Sequence, residues 1–215
     1  MTEEENEAPA RAVVVEVLPS VAVVRLNRPA ERNALSVATL EELDATVSTL
    51  TARADINSII FTGTGDVFAA GADIRELSRL TAEAAGEFAA RGQRLFQKIA
   101  GARQLTIAAV NGYCMGGALD LALACDIRCA APAAVFAHPG ARLGIITGWG
   151  GTQRLPRLIG TARALEMFAT AKRVGAREAY EIGLVSKVGE PALDCAIEIA
   201  SQVSTACRKR AGPQR

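Results

Sequence analysis

Short β-branched runs alternate along the chain with stretches whose apolar residues recur every three or four positions. AVVVEVLPSVAVVRLN (12–27) reads as two strands meeting in a hairpin at Pro19-Ser20. From Ser36 to about Arg53, the residues Leu40, Leu43, Val47 and Leu50 fall at helical spacing, with Ser36 as N-cap. INSIIFTG (56–63) and LTIAAV (105–110) read as buried strands. Each runs into a loop of small residues, GTGDVFAAGA (63–72) and 111–117. Asp73 to Glu76 has a capping-box pattern and opens a short helix, followed by a longer one over about 81–100. IRCA (127–130), AVFA (134–137) and GLVSKV (183–188) read as strands, and GWGGTQRL (148–155) as a glycine-rich loop entering a helix. LEMFATAK, AREAYEIG and a segment over about 191–207 read as helices, before a basic tail.

Strands alternating with helices predict an α/β fold with mainly parallel pairing. Ligands bind such sheets where loops leave the C-terminal ends of strands, which is where 63–72 and 111–117 fall. Small residues let a ligand approach backbone N–H groups closely, and the second loop delivers them at a helix N-terminus. Two converging backbone donors are what an oxyanion hole requires. Neither GxGxxG nor GxxxxGK[ST] occurs, so the nucleotide fingerprints are absent.

Length and composition narrow the class. The 215 residues suit one domain: a core over 11–188, a disordered N-terminus over 1–10, and a short helix with a basic tail over 189–215. Apolar residues make up 50% and charged residues 22%, a globular composition. A net charge of +1 with scattered arginines gives no basic face for nucleic acid. No apolar run reaches the roughly 18 residues that cross a bilayer. MTEEENEAPA has neither a secretion nor an organelle pattern, and the five cysteines form no CxxC pair. We expect reduced thiols in a cytoplasmic protein, with no membrane partner and no metal.

The chemistry concentrates in NGYCMGGALDLALACD (111–126), where one acid, Asp120, sits in the first turn of an apolar helix. Between Glu87 and Glu166 the only acids are Asp120 and Asp126, and Asp126 reads as the structural stop of that helix. A carboxyl in such a setting is costly unless paired or functional, and desolvation raises its pKa towards the range useful for proton transfer. The single histidine, His138, lies close by in FAHPGARLG.

At this point the motifs resemble those of the enoyl-CoA hydratase/isomerase family, the crotonase superfamily. The matching stretches are NRPAERNAL (27–35), FAAGADIREL (68–77), AAVNGYCMGGALDLALACDIR (108–128), LGIITGWGGTQRLPRLIG (143–160) and EAYEIGLVSKV (178–188). The resemblance implies a ββα spiral fold that takes an acyl-CoA thioester as substrate, needs no further cofactor, and assembles as a homotrimer or hexamer. It assigns the two carbonyl-polarising amides to Ala72 and Gly117, with Gly116 completing the glycine pair. It places Asn33, Ala34, Leu35, Ala70 and Ile74 along the CoA moiety, and gives Arg28 and Arg75 as contacts to its phosphates. Asp73 orders the Ala72 loop as an N-cap, and Glu76 either caps or faces the pocket. Tyr113, Cys114, His138 and Trp149 are candidates to line the acyl pocket, with core packing as the competing role.

Hydratases of the family use two glutamates to hold and activate water. By motif position these are Asp120 and Gly140 here, so one carboxylate is shortened and the other missing. Moving a double bond, or protonating an enolate after decarboxylation, needs only one acid–base group. Asp120 is therefore the expected proton-transfer residue and crotonyl-CoA hydration is expected to be weak. Three outcomes stay open: a hydratase, a single-carboxylate isomerase or decarboxylase, and a family member that binds acyl-CoA without turnover. Only 27 residues follow Val188, fewer than the family's usual C-terminal helices, which weakens the assembly expectation.

Overall fold

In a computed structural model that describes residues 11–202, the first two strands, β1 (Val13–Leu18) and β2 (Val21–Leu26), form the expected antiparallel hairpin. The remaining elements follow in order: α1 (Val37–Ala52), β3 (Ser58–Gly63), β4 (Val67–Ala69), α2 (Ile74–Leu77) and α3 (Ala82–Ala100). Then come β5 (Leu105–Val110), β6 (Tyr113–Met115), α4 (Gly117–Ala124), β7 (Ile127–Ala130) and β8 (Val135–Ala137). The chain continues through α5 (Gly151–Ile159), α6 (Thr161–Thr170), β9 (Val174–Gly175), α7 (Ala176–Glu181), β10 (Lys187–Val188) and α8 (Ala192–Ser201). The expected disorder of 1–10, the basic tail and the end of the last helix fall outside the described residues.

Six strands form one sheet in the order β1-β2-β3-β5-β7-β10, parallel after the first pair. Its central strands are buried on both faces, as parallel sheets require. Ile59 and Phe61 of β3 face the main core with Leu40, Leu43 and Val47 of α1. Ile60, between them, faces the opposite side with Ala192, Ala196 and Ala200 of α8. Ser36 caps α1 as expected, its hydroxyl accepting from Thr39 N at 3.2 Å.

The second sheet departs from the sequence reading. β4, β6, β8 and β9 form a four-stranded sheet, and two of these strands lie inside segments read as plain loops, 63–72 and 111–117. Three-residue strands are too short to show a period of two. β4 and β6 pair in parallel, Val67 with Tyr113 and Ala69 with Cys114 across a bulge. That pairing brings the two small-residue loops together. Of GLVSKV, only Lys187–Val188 is strand. Leu184 and Val185 donate instead to Ala179 O at 2.8 and 3.1 Å, closing the end of α7.

α4 runs through the core, with every residue from Ala118 to Ala124 buried. Its C-terminal carbonyls are met by a buried arginine that sequence reasoning passed over. Arg128 donates from Nη1 to Cys125 O at 2.8 Å and from Nε to Leu184 O at 2.8 Å. Asp126 is structural as expected, accepting from Thr106 N at 2.9 Å and Thr106 Oγ1 at 2.8 Å. Among the described residues no helix is long and apolar enough to cross a membrane, and no cluster of His, Cys, Asp and Glu could hold a metal.

Candidate active site

Two backbone amides meet at one end of the second sheet. Gly71 takes a positive φ of 94°, a conformation open to glycine. A Cβ added there would sit 2.6 Å from Met115 O and 3.2 Å from Gly117 N, so the two loops are in contact. Neither Ala72 N nor Gly117 N donates a hydrogen bond within the described residues. Gly117 N opens α4, where the first amides of a helix have no internal acceptor. The height of Ala72 is set from the N-terminal segment: Leu35 N donates to Gly71 O at 2.8 Å, and Leu35 bridges to Ala72 in parallel.

The amides open onto a cavity of about 260 Å³. Residues 70–72, 116–117, 138–140 and 147–149 line it, together with Leu77, Leu80 and Phe88. The lining is predominantly apolar, the usual setting for a small-molecule site with a few placed polar groups. Trp149 both lines this cavity and belongs to the core, at 3% exposure. Its indole lies between the two glycines that let α3 and α4 approach it. A Cβ would come within 2.3 Å of the ring at Gly92 and within 2.3 Å at Gly117. Phe88 and Phe96 pack on the ring with centroids at 5.3 and 5.7 Å, and Nε1 donates to Phe88 O at 3.3 Å.

Asp120 is fully buried, but it does not line the cavity. Expected to face the bound acyl carbons, it instead stands one layer behind the wall. Thr147 Oγ1 donates to its Oδ2, and the amides of Trp149 and Gly151 face the carboxyl. Burial raises its pKa to about 6, against the opposing effects of the Thr147 hydrogen bond, the two amides and Arg154. Oδ1 has no hydrogen-bond partner among the described residues, and the nearest polar atom given for it is His138 Nε2, at 3.5 Å.

His138 is 3% exposed, and its two ring nitrogens have no hydrogen-bond partner among the described residues. Burial lowers its pKa to about 4. At 3.5 Å, without hydrogen-bond alignment, a neutral imidazole beside Asp120 makes no ion pair near neutral pH. Leaving buried polar atoms unpaired typically costs about 1–3 kcal/mol each.

Gly140 also lines the cavity, but its position has no room for a side chain. A Cβ would lie 2.6 Å from Ile145 O, inside a turn closed by Ile145 N donating to Gly140 O at 3.0 Å. The local backbone thus opposes any side chain at this position.

The residues expected along the CoA moiety divide. Ala70 and the exposed Ile74 border the cavity. Asn33 and Leu35 do not: both are buried, at 1% and 0% exposure. Asn33 Nδ2 donates to Thr64 O at 3.0 Å and Val67 O at 2.8 Å, while Oδ1 accepts from Arg28 N at 2.9 Å. Its amide is spent on holding the 28–34 turn against the β3–β4 connection, and Ala34 lies in that same segment without reaching the cavity. Arg28 is paired with Glu31 at 2.6 Å and Arg75 with Asp73 at 2.8 Å. Asp73 caps α2 through Arg75 N at 2.8 Å, and its pKa is held down at about 2, chiefly by the Arg75 side chain. The box is not closed: Glu76 Oε2 accepts from Val37 N at 2.8 Å, tying α2 to α1. Cys114 is core, and Tyr113, 44% exposed, lies outside the acyl cavity.

Tyr113 borders a separate groove of about 560 Å³ that shares Ala70 and Pro139 with the cavity. Arg32, Arg142 and Arg173 line it, against the single acid Asp66. None of these arginines stood out in the sequence, where the basic residues are scattered; the fold gathers them.

Two sheets, the shorter one delivering paired free amides to an apolar cavity, define the ββα spiral class of α/β proteins. A family model described as enoyl-CoA hydratase/isomerase matches residues 16–209. The chain is 44% identical over 180 residues to a crotonyl-CoA hydratase of Syntrophomonas wolfei, covering 83% of this chain and 69% of that protein. It is 40% identical to a short-chain-enoyl-CoA hydratase of Clostridium acetobutylicum, covering 89% and 74%. A crystal structure of an enoyl-CoA hydratase from Bacillus anthracis superposes with a TM-score of 0.86 at 39% identity, covering 89% of this chain and 76% of that one. The chain belongs to the enoyl-CoA hydratase/isomerase family.

Proposed function

We propose that the protein is an acyl-CoA enzyme that polarises a thioester carbonyl between the amides of Ala72 and Gly117 and works through the resulting enolate. The observation that carries this reading is the pair of partnerless amides, brought into contact at Gly71, on the wall of an apolar cavity. A single such donor typically contributes about 2.7–4 kcal/mol to a transition state. The groove of Arg32, Arg142 and Arg173 continues from the cavity and suits the phosphate-bearing handle of coenzyme A. Asp120, buried behind the cavity lining, is the carboxylate nearest to it with raised proton affinity. The thioester is the substrate and no separate cofactor is invoked. The names of its relatives support hydration of a short enoyl-CoA as the first reaction to test.

Loss of a general acid–base group commonly costs about 10²–10⁴-fold, so slow hydration of crotonyl-CoA is expected with a glycine at position 140. Calorimetry with butyryl-CoA, which cannot be hydrated, measures binding, and crotonyl-CoA consumption measures turnover. Saturable binding with slow turnover is the expected result. Fast hydration that survives Asp120→Asn would refute the role given to Asp120. A second reading, an acyl-CoA binder without turnover, is favoured by one observation: no carboxylate reaches the cavity wall among the described residues. Binding without consumption of any enoyl-, dienoyl- or malonyl-type thioester would select it.

A further inference from the structure

The cavity lining holds one titratable side chain among the described residues, His138. His138 directly follows β8 and opens the helical turn over 139–143, and Asp120, which does not line the cavity, approaches it from α4. The Asp120 oxygen nearest the imidazole, Oδ1, is the one without a hydrogen bond, because Thr147 occupies Oδ2. The imidazole is held at its face by Phe168, with ring centroids 5.0 Å apart. An Asp behind a His, with the His on the wall, is the order in which a carboxylate orients an imidazole and stabilises its protonated form.

We propose that His138 is the catalytic acid–base of this site, with Asp120 as the residue that positions it, and that this pair takes the place of the carboxylate absent at Gly140. The proposal rests on the acyl-thioester reading above. In the proposed step Nε2, 3.5 Å from Asp120 Oδ1, carries the ring proton towards that carboxylate, and Nδ1, buried and without a partner among the described residues, is the nitrogen left to take a proton. In hydration, the water oxygen bonds to the β-carbon while one water proton passes to Nδ1. The carbon–carbon π pair moves to form the enolate held by the amides of Ala72 and Gly117. Nδ1 then returns that proton to the α-carbon as the thioester carbonyl re-forms. One O–H bond breaks, one C–O and one C–H bond form, and nothing is oxidised or reduced. Asp120 is the charged group facing the imidazole. Arg154 and Cys114 act electrostatically on Asp120, and Phe168 presents only an apolar face.

The test compares wild type, His138→Gln, Asp120→Asn and Thr147→Val. Calorimetry with butyryl-CoA and thermal melting serve as controls for binding and folding. The readouts are crotonyl-CoA hydration and exchange of the butyryl-CoA α-hydrogens in D₂O, followed by NMR. His138→Gln is expected to lower both rates by about 10²–10⁴-fold with butyryl-CoA affinity retained. Asp120→Asn is expected to lower kcat, keep affinity, and abolish the acid limb of the kcat–pH profile. Thr147→Val is expected to lose less than His138→Gln. Because the chain has one histidine, the imidazole ¹⁵N resonances of wild type can be assigned without a variant, and butyryl-CoA is expected to shift them. Full rates and an unchanged pH profile in His138→Gln, or imidazole resonances that ignore the ligand, overturn the proposal. So does a Thr147→Val loss larger than that of His138→Gln, which would make the hydroxyl the proton route. Wild type that binds butyryl-CoA but neither exchanges nor hydrates leaves the thioester site standing and removes His138 from it. Wild type that does not bind removes both.

Discussion

The buried pair of Asp120 and His138 makes opposite demands on folding as pH falls. Asp120 titrates at about 6 when folded against an ordinary value of 3.8. The folded state therefore holds this proton more tightly: the stabilisation is complete below pH 3.8 and lost as pH rises through 6. His138 titrates at about 4 when folded against 6.5. Its contribution is present above pH 6.5 and lost as pH falls through 4. At about 1.36 kcal/mol per unit, each term amounts to roughly 3 kcal/mol, with opposite signs over nearly the same window. In the wild type the two nearly cancel. Removing either one exposes the other. Relative to wild type, Asp120→Asn should lose about 2 kcal/mol between pH 7 and 4.5, and His138→Gln should gain about 2 kcal/mol over the same step. Urea unfolding at several pH values, followed by fluorescence of the single buried tryptophan, Trp149, measures both differences. Variant-minus-wild-type differences that stay flat across this range, or that share a sign, would refute the reasoning.

Other expectations concern the glycines and a cap. Gly117→Ala sets a Cβ against Trp149, so it should cost about 1–3 kcal/mol of stability, displace the amide proposed to polarise the carbonyl, and lower kcat by at least about 10²-fold. Gly92→Ala presses the same ring from α3 without touching that amide; it should destabilise by a similar amount with a smaller loss of kcat, and equal losses of kcat would argue against the amide's role. Gly140→Glu, which supplies the second carboxylate that the family resemblance leads one to expect, should lower the melting temperature and bring no large gain in crotonyl-CoA hydration, because its Cβ meets Ile145 O; a large gain in a stable protein would show that the turn yields. Asp73→Ala removes the N-cap of α2 and should cost about 0.5–2 kcal/mol, seen as a lower urea midpoint.

The α/β class, the hairpin, the caps at Ser36 and Asp73 and the two amide-bearing loops were legible because each has a local signature. Glycine and alanine after a β-branched run mark a chain that must approach something closely. What was not legible was non-local. The pairing of β4 with β6 depends on register between segments more than forty residues apart, and three-residue strands leave no periodic trace. Asn33 belongs to a motif associated with the CoA moiety, but its side chain is consumed by backbone carbonyls that only the folded chain brings near. Asp120 was found by its chemistry and misjudged in its orientation, because helical spacing alone cannot tell the wall of a cavity from the layer behind it. Thr147 carried no signal, since its partner lies 27 residues away. Arg32, Arg142 and Arg173 are similarly ordinary until they share a groove.

The hydrogen bond from Leu35 N to Gly71 O also has a consequence for synthesis. The Ala72 amide is placed by a segment near the start of the chain, its partner amide by α4, and the cavity wall is closed by Trp149. A nascent chain therefore carries both amides well before it has a site. On the reading proposed above, ligand affinity should first appear only after Phe168, which packs on His138, and Arg173 of the adjoining groove have emerged, which would make binding of an acyl-CoA a timestamp for late folding on the ribosome.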